Sequence, residues 1–265
     1  MPGASIQCSK ASLMNASTSP LRQRLMGPPA AFGTWLALDN TVSAETMGRV
    51  GFDAVVIDTQ HGAASEAALL PMLQALDAAG APALVRVPWL DPARIMRVVD
   101  LGAAGVVVPM VNTAEEAELA VAASRYPPRG FRSFGPVRRW YSPDGAAHDA
   151  LCVVMIETRE ALANVEAIAA TPGLDGLLVG PVDLALSLGY EFSFEMRAEV
   201  IDAIAAVARV CKQHGLICAS VSFGSDNAAL QIERGVTFLA TGSDSLFMRR
   251  AAEAELAQLR KLAGE

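Results

Sequence analysis

"LVRVPWLDPARIMRVVDLGAAGVVVPM", residues 84–110, decides the fold. An apolar run ends near Val87, Pro88 breaks it, Asp91 opens an amphipathic segment, and Gly102 stands where that segment gives way to a second apolar run. Two buried runs separated by a helix read as parallel strands joined by a crossover. Working outward, the same phrase recurs eight times. The expected strands are Phe32–Leu38, Ala54–Asp58, Ala83–Val87, Gly105–Met110, Cys152–Glu157, Gly176–Val179, Leu216–Val221 and Phe238–Thr241. Helices are expected to begin near Ser43, Ser65, Asp91, Thr113, Arg159, Asp183 with Phe194, Ser225 and Ser245. Several open on Ser, Thr or Asp, residues that cap orphan amides, and "RVGFD" and "ERGVTF" put Gly at helix exits.

Eight such units in 265 residues predict a closed (β/α)8 TIM barrel. No GxGxxG follows the first strand to favour an open dinucleotide-binding sheet. One domain is expected over 21–265, with 1–20 as a loose tail. That tail has neither the apolar core of a secretion signal nor the Arg-rich amphipathic pattern of a transit peptide, and Met14 is an alternative start. The polar Tyr126–Ala150 connection interrupts the regular spacing, as functional loops do.

Composition excludes several classes. A formal charge of -7 opposes nucleic-acid binding, which draws its affinity from clustered Lys and Arg; Arg138–Arg139 is only a basic pair, too few to serve. No apolar stretch reaches the roughly 20 residues needed to span a bilayer. Cys8, Cys152, Cys211 and Cys218 show no disulfide framework, which points to the cytoplasm. "CKQHGLIC" offers Cys211, His214 and Cys218 as a metal knuckle, but Cys218 sits inside an expected strand and the cluster stands alone.

Barrels of this kind carry their chemistry at the carboxyl ends of their strands. Reading off the polar groups there gives Asp58 and His61, Arg86, Glu157, Asp183 and Ser222. Glu157 and Asp183 close neighbouring strands; two hard oxygen donors with room for water suit Mg²⁺ or Mn²⁺, with Co²⁺ a further choice. The alternative is that Glu157 pairs with an arginine and Asp183 caps a helix. In "GPVD", Gly180 admits close approach, Pro181 stiffens the turn, and the amides of Val182 and Asp183 face out of a helix start, where an anion binds. Arg86 needs a partner: substrate, or an internal ion pair with Asp58 or Glu157. Asp58 is spaced to fix the tautomer of His61 and raise its basicity. Lys10, Lys212 and Lys261 are the only lysines and none ends a strand, so Schiff-base chemistry has no candidate.

From Phe32 onward the chain resembles the HpcH/HpaI family of metal-dependent pyruvate aldolases, within the phosphoenolpyruvate/pyruvate superfamily of barrels. The likeness is carried by "FGTWLAL", "GFDAVVIDTQHG", residues 84–117, "RYPPRGFRSFGP", "MIETREALANVEAIAATPGLDGLLVGPVDLALSLG" and "GSDSLFMRRAA". It implies Glu157 and Asp183 as metal ligands, Arg86 polarising a pyruvyl oxygen, and His61 in acid–base work beside Asp58. It also implies an acid from an adjoining subunit, for which Asp100 is the candidate, and a homo-hexamer. The chain departs from the family at Gln60, where Glu is common, and at Met155, where Gln is common. The expected reaction is cleavage of a 2-keto-4-hydroxy acid to pyruvate and an aldehyde through a metal-stabilised enolate. The base is His61 with Asp58, or a metal-bound water. Aldehyde choice is expected to depend on Tyr126–Ala150, where Arg132, Arg138 and Arg139 would meet an acidic tail, and on neighbouring loops and subunits. Rival readings are a citramalyl-CoA or malyl-CoA lyase, and a silent keto-acid-binding barrel. "LFMRRAAEAELAQLRKLAG" serves as the eighth barrel helix, as a helix packing across subunits, or as both.

Overall fold

A computed structural model describes residues 19–135, 137–138, 149–191, 193 and 195–264. Eight parallel strands close on themselves in chain order: β1 (Ala31–Leu36), β2 (Ala54–Asp58), β3 (Ala83–Arg86), β4 (Gly105–Val108), β5 (Leu151–Ile156), β6 (Gly176–Val179), β7 (Ile217–Ser222) and β8 (Phe238–Ser243), with β8 pairing back to β1. The barrel is the one expected from the sequence. Around it run α1 (Pro20–Leu25), α2 (Thr41–Gly48), α3 (Glu66–Ala78), α4 (Pro92–Asp100), α5 (Ala114–Ser124), α6 (Arg159–Ala163), α7 (Val165–Ala169), α8 (Pro181–Ser187), α9 (Ala198–His214), α10 (Ser225–Glu233) and α11 (Asp244–Ala263).

Local chemistry explains most boundaries. The side chains of Asn40, Ser65, Asp91, Thr113, Thr158 and Ser243 accept amides in the first turns of α2, α3, α4, α5, α6 and α11. Asn40 and Ser243 thus cap where Ser43 and Ser245 were expected to start a helix, and the expected start at Phe194 lies outside the described residues. β4 stops at Val108 rather than Met110, because Pro109 has no amide to give the ladder.

Successive strand residues face opposite ways, so the barrel has two cores. Val55, Ile57, Val85, Val106, Val108, Val154 and Ile156 meet the helices. Trp35, Val56, Leu84, Leu151, Val153, Met155, Leu178 and Phe238 fill the interior. Glycine makes room for the Phe238 ring: a Cβ at Gly33 would lie 2.6 Å from it.

Helix α1 was not expected. It closes the amino end of the barrel, burying Leu25 against the inner core, with Arg22 paired to Asp175 and Arg24 to Asp53. Helix α11 starts at the barrel, but from Met248 onward every described residue is exposed, so it does not pack as an eighth barrel helix.

Candidate active site

The inward parity of each strand aims its last polar residue into the mouth. Ala54 and Val56 point inward, hence so does Asp58; Leu84 brings Arg86; Val153 and Met155 bring Glu157. Arg86 donates from Nε to Asp58 Oδ1 at 2.9 Å and from Nη2 to Asp58 Oδ2 at 2.6 Å. Its guanidinium lies 4.6 Å from the centre of the Trp35 ring. Asp58 Oδ1 also accepts the main-chain amides of Gln60 and His61 at 3.0 and 3.3 Å. Burial pushes Asp58 upward, but Arg86 and the two amides outweigh it and hold the carboxyl below its ordinary range.

This revises the expected dyad. Asp58 engages the backbone of His61, not its ring, and its carboxylate is committed to Arg86. The internal ion pair is therefore the structural partner of Arg86, and the His61 side chain stands exposed at the rim. Arg86 Nη1 makes no hydrogen bond among the described residues and remains available.

Glu157 is 2% exposed and accepts the Met110 amide at Oε1, 2.7 Å away. Burial raises its carboxyl above the ordinary value; the Met110 amide lowers it, the Asp183 charge raises it and the Arg86 charge lowers it, for a net increase. The two carboxylates are thus electrostatic neighbours, as the sequence suggested. Among the described residues neither is in an ion pair, and Asp183 caps no helix through its side chain. Glu157 Oε2 packs directly against Gly180, where a Cβ would sit 2.6 Å from it, so only glycine admits this carboxylate. Pro181 is buried in the first turn of α8, with Val182 half-buried and Asp183 exposed beside it.

The other named residues fall as follows. Met155 is buried, its methyl 3.2 Å from the position a Cβ would take at Gly180, so a thioether rather than an amide lies beside Glu157. Gln60 Oε1 is buried without a hydrogen-bond partner. Ser222 is buried at the end of β7. Asp100 ends α4, at the opposite end of its own barrel from the mouth, and accepts Arg132 at 2.5 Å.

Part of the Tyr126–Ala150 connection lies outside the described residues; its described parts, residues 126–135, 137–138 and 149–150, follow α5 and precede β5 at that far end. Arg132 is buried there, stacked 4.4 Å from the Tyr126 ring centre, and Arg138 binds Asp77 and the Leu101 carbonyl. Neither is free to meet a substrate at this chain's own mouth; Arg139 and His148 lie outside the described residues. The knuckle does not form either, since His214 pairs with Glu166 at 3.1 Å while Cys211 and Cys218 are buried free thiols.

Three contributors escaped the sequence reading. Trp35 was foreseeable from the alternation Ala31, Gly33, Trp35. The Met110 amide and the buried Asp244, which accepts the Ala37 amide and the Ser43 hydroxyl and so ties α11 to the β1 exit, left no local signal.

A closed parallel barrel with a carboxylate pair, an arginine and an imidazole around its mouth defines a (β/α)8-barrel enzyme. Residues 31–251 match the HpcH/HpaI aldolase/citrate lyase family, and the chain belongs to that family. It is 40% identical over 246 residues to the hydroxypyruvate/pyruvate aldolase of Rhizorhabdus wittichii, covering 89% of this chain and 96% of that one. It is 37% identical to the 4-hydroxy-2-oxo-heptane-1,7-dioate aldolase of Salmonella paratyphi B, covering 88% and 92%. Among solved structures, an HpcH/HpaI family protein from Burkholderia cenocepacia superposes with a TM-score of 0.83 at 31% identity, covering 92% of this chain and all of that one. The chain is an enzyme of the aldolase class. No helix among the described residues is long and apolar enough to cross a membrane.

Proposed function

We propose that the enzyme cleaves a 2-keto-4-hydroxy acid reversibly to pyruvate and an aldehyde, with a divalent cation held by Glu157 and Asp183. One observation carries this reading: Glu157 is buried beside a second carboxylate, and among the described residues neither is in an ion pair. Gly180, with no side chain, lets Glu157 Oε2 lie against its backbone at the start of the turn that carries Asp183. The donors are all oxygen, and no group of three metal-binding side chains occurs among the described residues. Substrate and water would complete the shell, which suits Mg²⁺ or Mn²⁺.

When bound, the cation supplies Lewis-acid polarisation of the keto oxygen and offsets the negative charge gathering there. Arg86, held rigid by Asp58 and Trp35, directs Nη1 at the same oxygen. The Val182 and Asp183 amides, uncapped by any side chain, receive the substrate carboxylate. His61 takes the proton from the C4 hydroxyl; the C3–C4 bond breaks, its electron pair passes to the pyruvyl half, and the aldehyde leaves. C3 is then protonated to give pyruvate.

Asp100 of the partner subunit is proposed to approach the rim near His61, because its own chain holds it far from its own mouth. The Tyr126–Ala150 connection would act on aldehyde choice by the same cross-subunit route. That requires a homo-oligomer, a hexamer by family likeness. The free thiols of the described cysteines support a cytoplasmic setting.

Proton exchange at C3 of pyruvate in D₂O, followed by NMR, tests the reading. Exchange is expected with Mn²⁺, and is expected to stop with a chelator or with Glu157→Gln. Exchange that continues after metal removal overturns it.

A further inference from the structure

Met110 is the one non-glycine residue with positive φ, +56°, among the described residues. The left-handed region brings Cβ too close to the carbonyl for a residue other than glycine to take it without cost, so something must hold Met110 there. The bend aims the Met110 amide at Glu157 Oε1, 2.7 Å away.

Asn112 is the clasp. Its Nδ2 donates to the Met110 carbonyl at 3.0 Å, and its Oδ1 accepts the hydroxyl of Thr158, the residue after Glu157. Its own amide donates to Glu116 Oε2 at 2.6 Å, and its carbonyl accepts Asn164 Nδ2 at 2.8 Å. Every polar group of Asn112 is used, and its side chain bridges the β4–α5 loop to the β5–α6 turn on both sides of Glu157.

We propose that Asn112 is a positioning residue for the carboxylate pair: it holds Met110 bent so that the amide occupies Glu157 Oε1 and leaves Oε2, set against Gly180, accepting no hydrogen bond among the described residues. Without that amide the carboxylate is free to rotate toward the nearby Arg86 charge, and the pair comes apart. The proposal rests on the cation reading above and adds the device that orients its buried ligand. Partners that orient a ligating carboxylate typically contribute about 10–100-fold to metal affinity.

The test is a Mn²⁺ titration of the substrate-free protein, read by the EPR signal of the free ion, with circular dichroism and thermal melts alongside. Asn112→Ala is expected to stay folded and bind Mn²⁺ at least about tenfold more weakly than wild type. Adding Met110→Gly to it is expected to restore part of that affinity, because glycine takes positive φ without the clasp. Should Asn112→Ala fail to fold, Asn112→Asp carries the same test, keeping the Thr158 acceptor but losing the donor to Met110. Wild-type affinity in a folded Asn112 variant overturns the proposal, as does a weakening that glycine at 110 leaves untouched. A wild-type protein that takes up no Mn²⁺ overturns the cation reading itself, and this proposal with it.

Discussion

Glu157 is a charge placed where burial disfavours it. Its folded pKa is raised, so the stability it contributes is present below its unfolded pKa and lost as pH rises through the folded value. In metal-free protein, Glu157→Gln should therefore raise stability at neutral pH, seen as a higher melting temperature, while abolishing Mn²⁺-dependent exchange. The gain should shrink as pH falls through the raised pKa; melts of both proteins across that range check it, and a destabilised variant at neutral pH contradicts it. Asp58 has the opposite sign. Its pKa is depressed, so its stabilisation is in place above the ordinary carboxylate value and is lost only as pH falls through the lowered one. Arg86→Lys keeps the charge but forfeits the two-pronged bond and the face contact with Trp35; kcat/KM for aldol cleavage is expected to fall about 100-fold. The identities of Asp58, Arg86, Glu157 and Asp183 were readable from the sequence, because a charge that ends an apolar run needs a reason. Their pairing was not: spacing allowed Asp58 to serve the His61 ring, and only the register of β2 against β3, which sets Asp58 level with Arg86, gave it to the guanidinium.

Among the elements, the strands were legible to within about two residues and the helices through their caps. The misses are physical: β4 ended early because Pro109 carries no amide, and α1 is too short for periodicity to reveal. Six residues cannot form a stable helix alone, so α1 exists because the open barrel end receives Leu25. Leu25→Ala should accordingly cost about 2–5 kcal/mol, seen as a lower denaturation midpoint, with a smaller effect on turnover than any mouth substitution. A neutral result would mean that α1 is not a structural plug. Gly33→Ala tests the inner core from the other side, since its methyl must displace the Phe238 ring or the Ala54 carbonyl; about 1–3 kcal/mol of destabilisation is expected.

For the whole molecule, α11 is the anomaly. Twenty residues long, it exposes Met248, Leu256, Leu259 and Leu262, the last 85% accessible, along a helix that a lone barrel leaves unsupported. In the proposed homo-oligomer this stripe would pack against another subunit. Removing residues 248–265 should leave the barrel's circular dichroism largely intact and reduce the assembled mass measured by light scattering; a full-length chain that is already monomeric at micromolar concentration contradicts the expectation. The sequence by itself made the barrel legible, because eight strand-and-helix phrases with no dinucleotide fingerprint favour closure over an open sheet. It also determined which residues end the strands, since alternation is a property of the chain. What only the tertiary structure decided is who meets whom across strands: Arg86 with Asp58, Glu157 with the bent Met110, and Asp100 with Arg132 at the far end of the barrel. Those contacts depend on register and on the return path of each helix, and neither is written in any local stretch of residues.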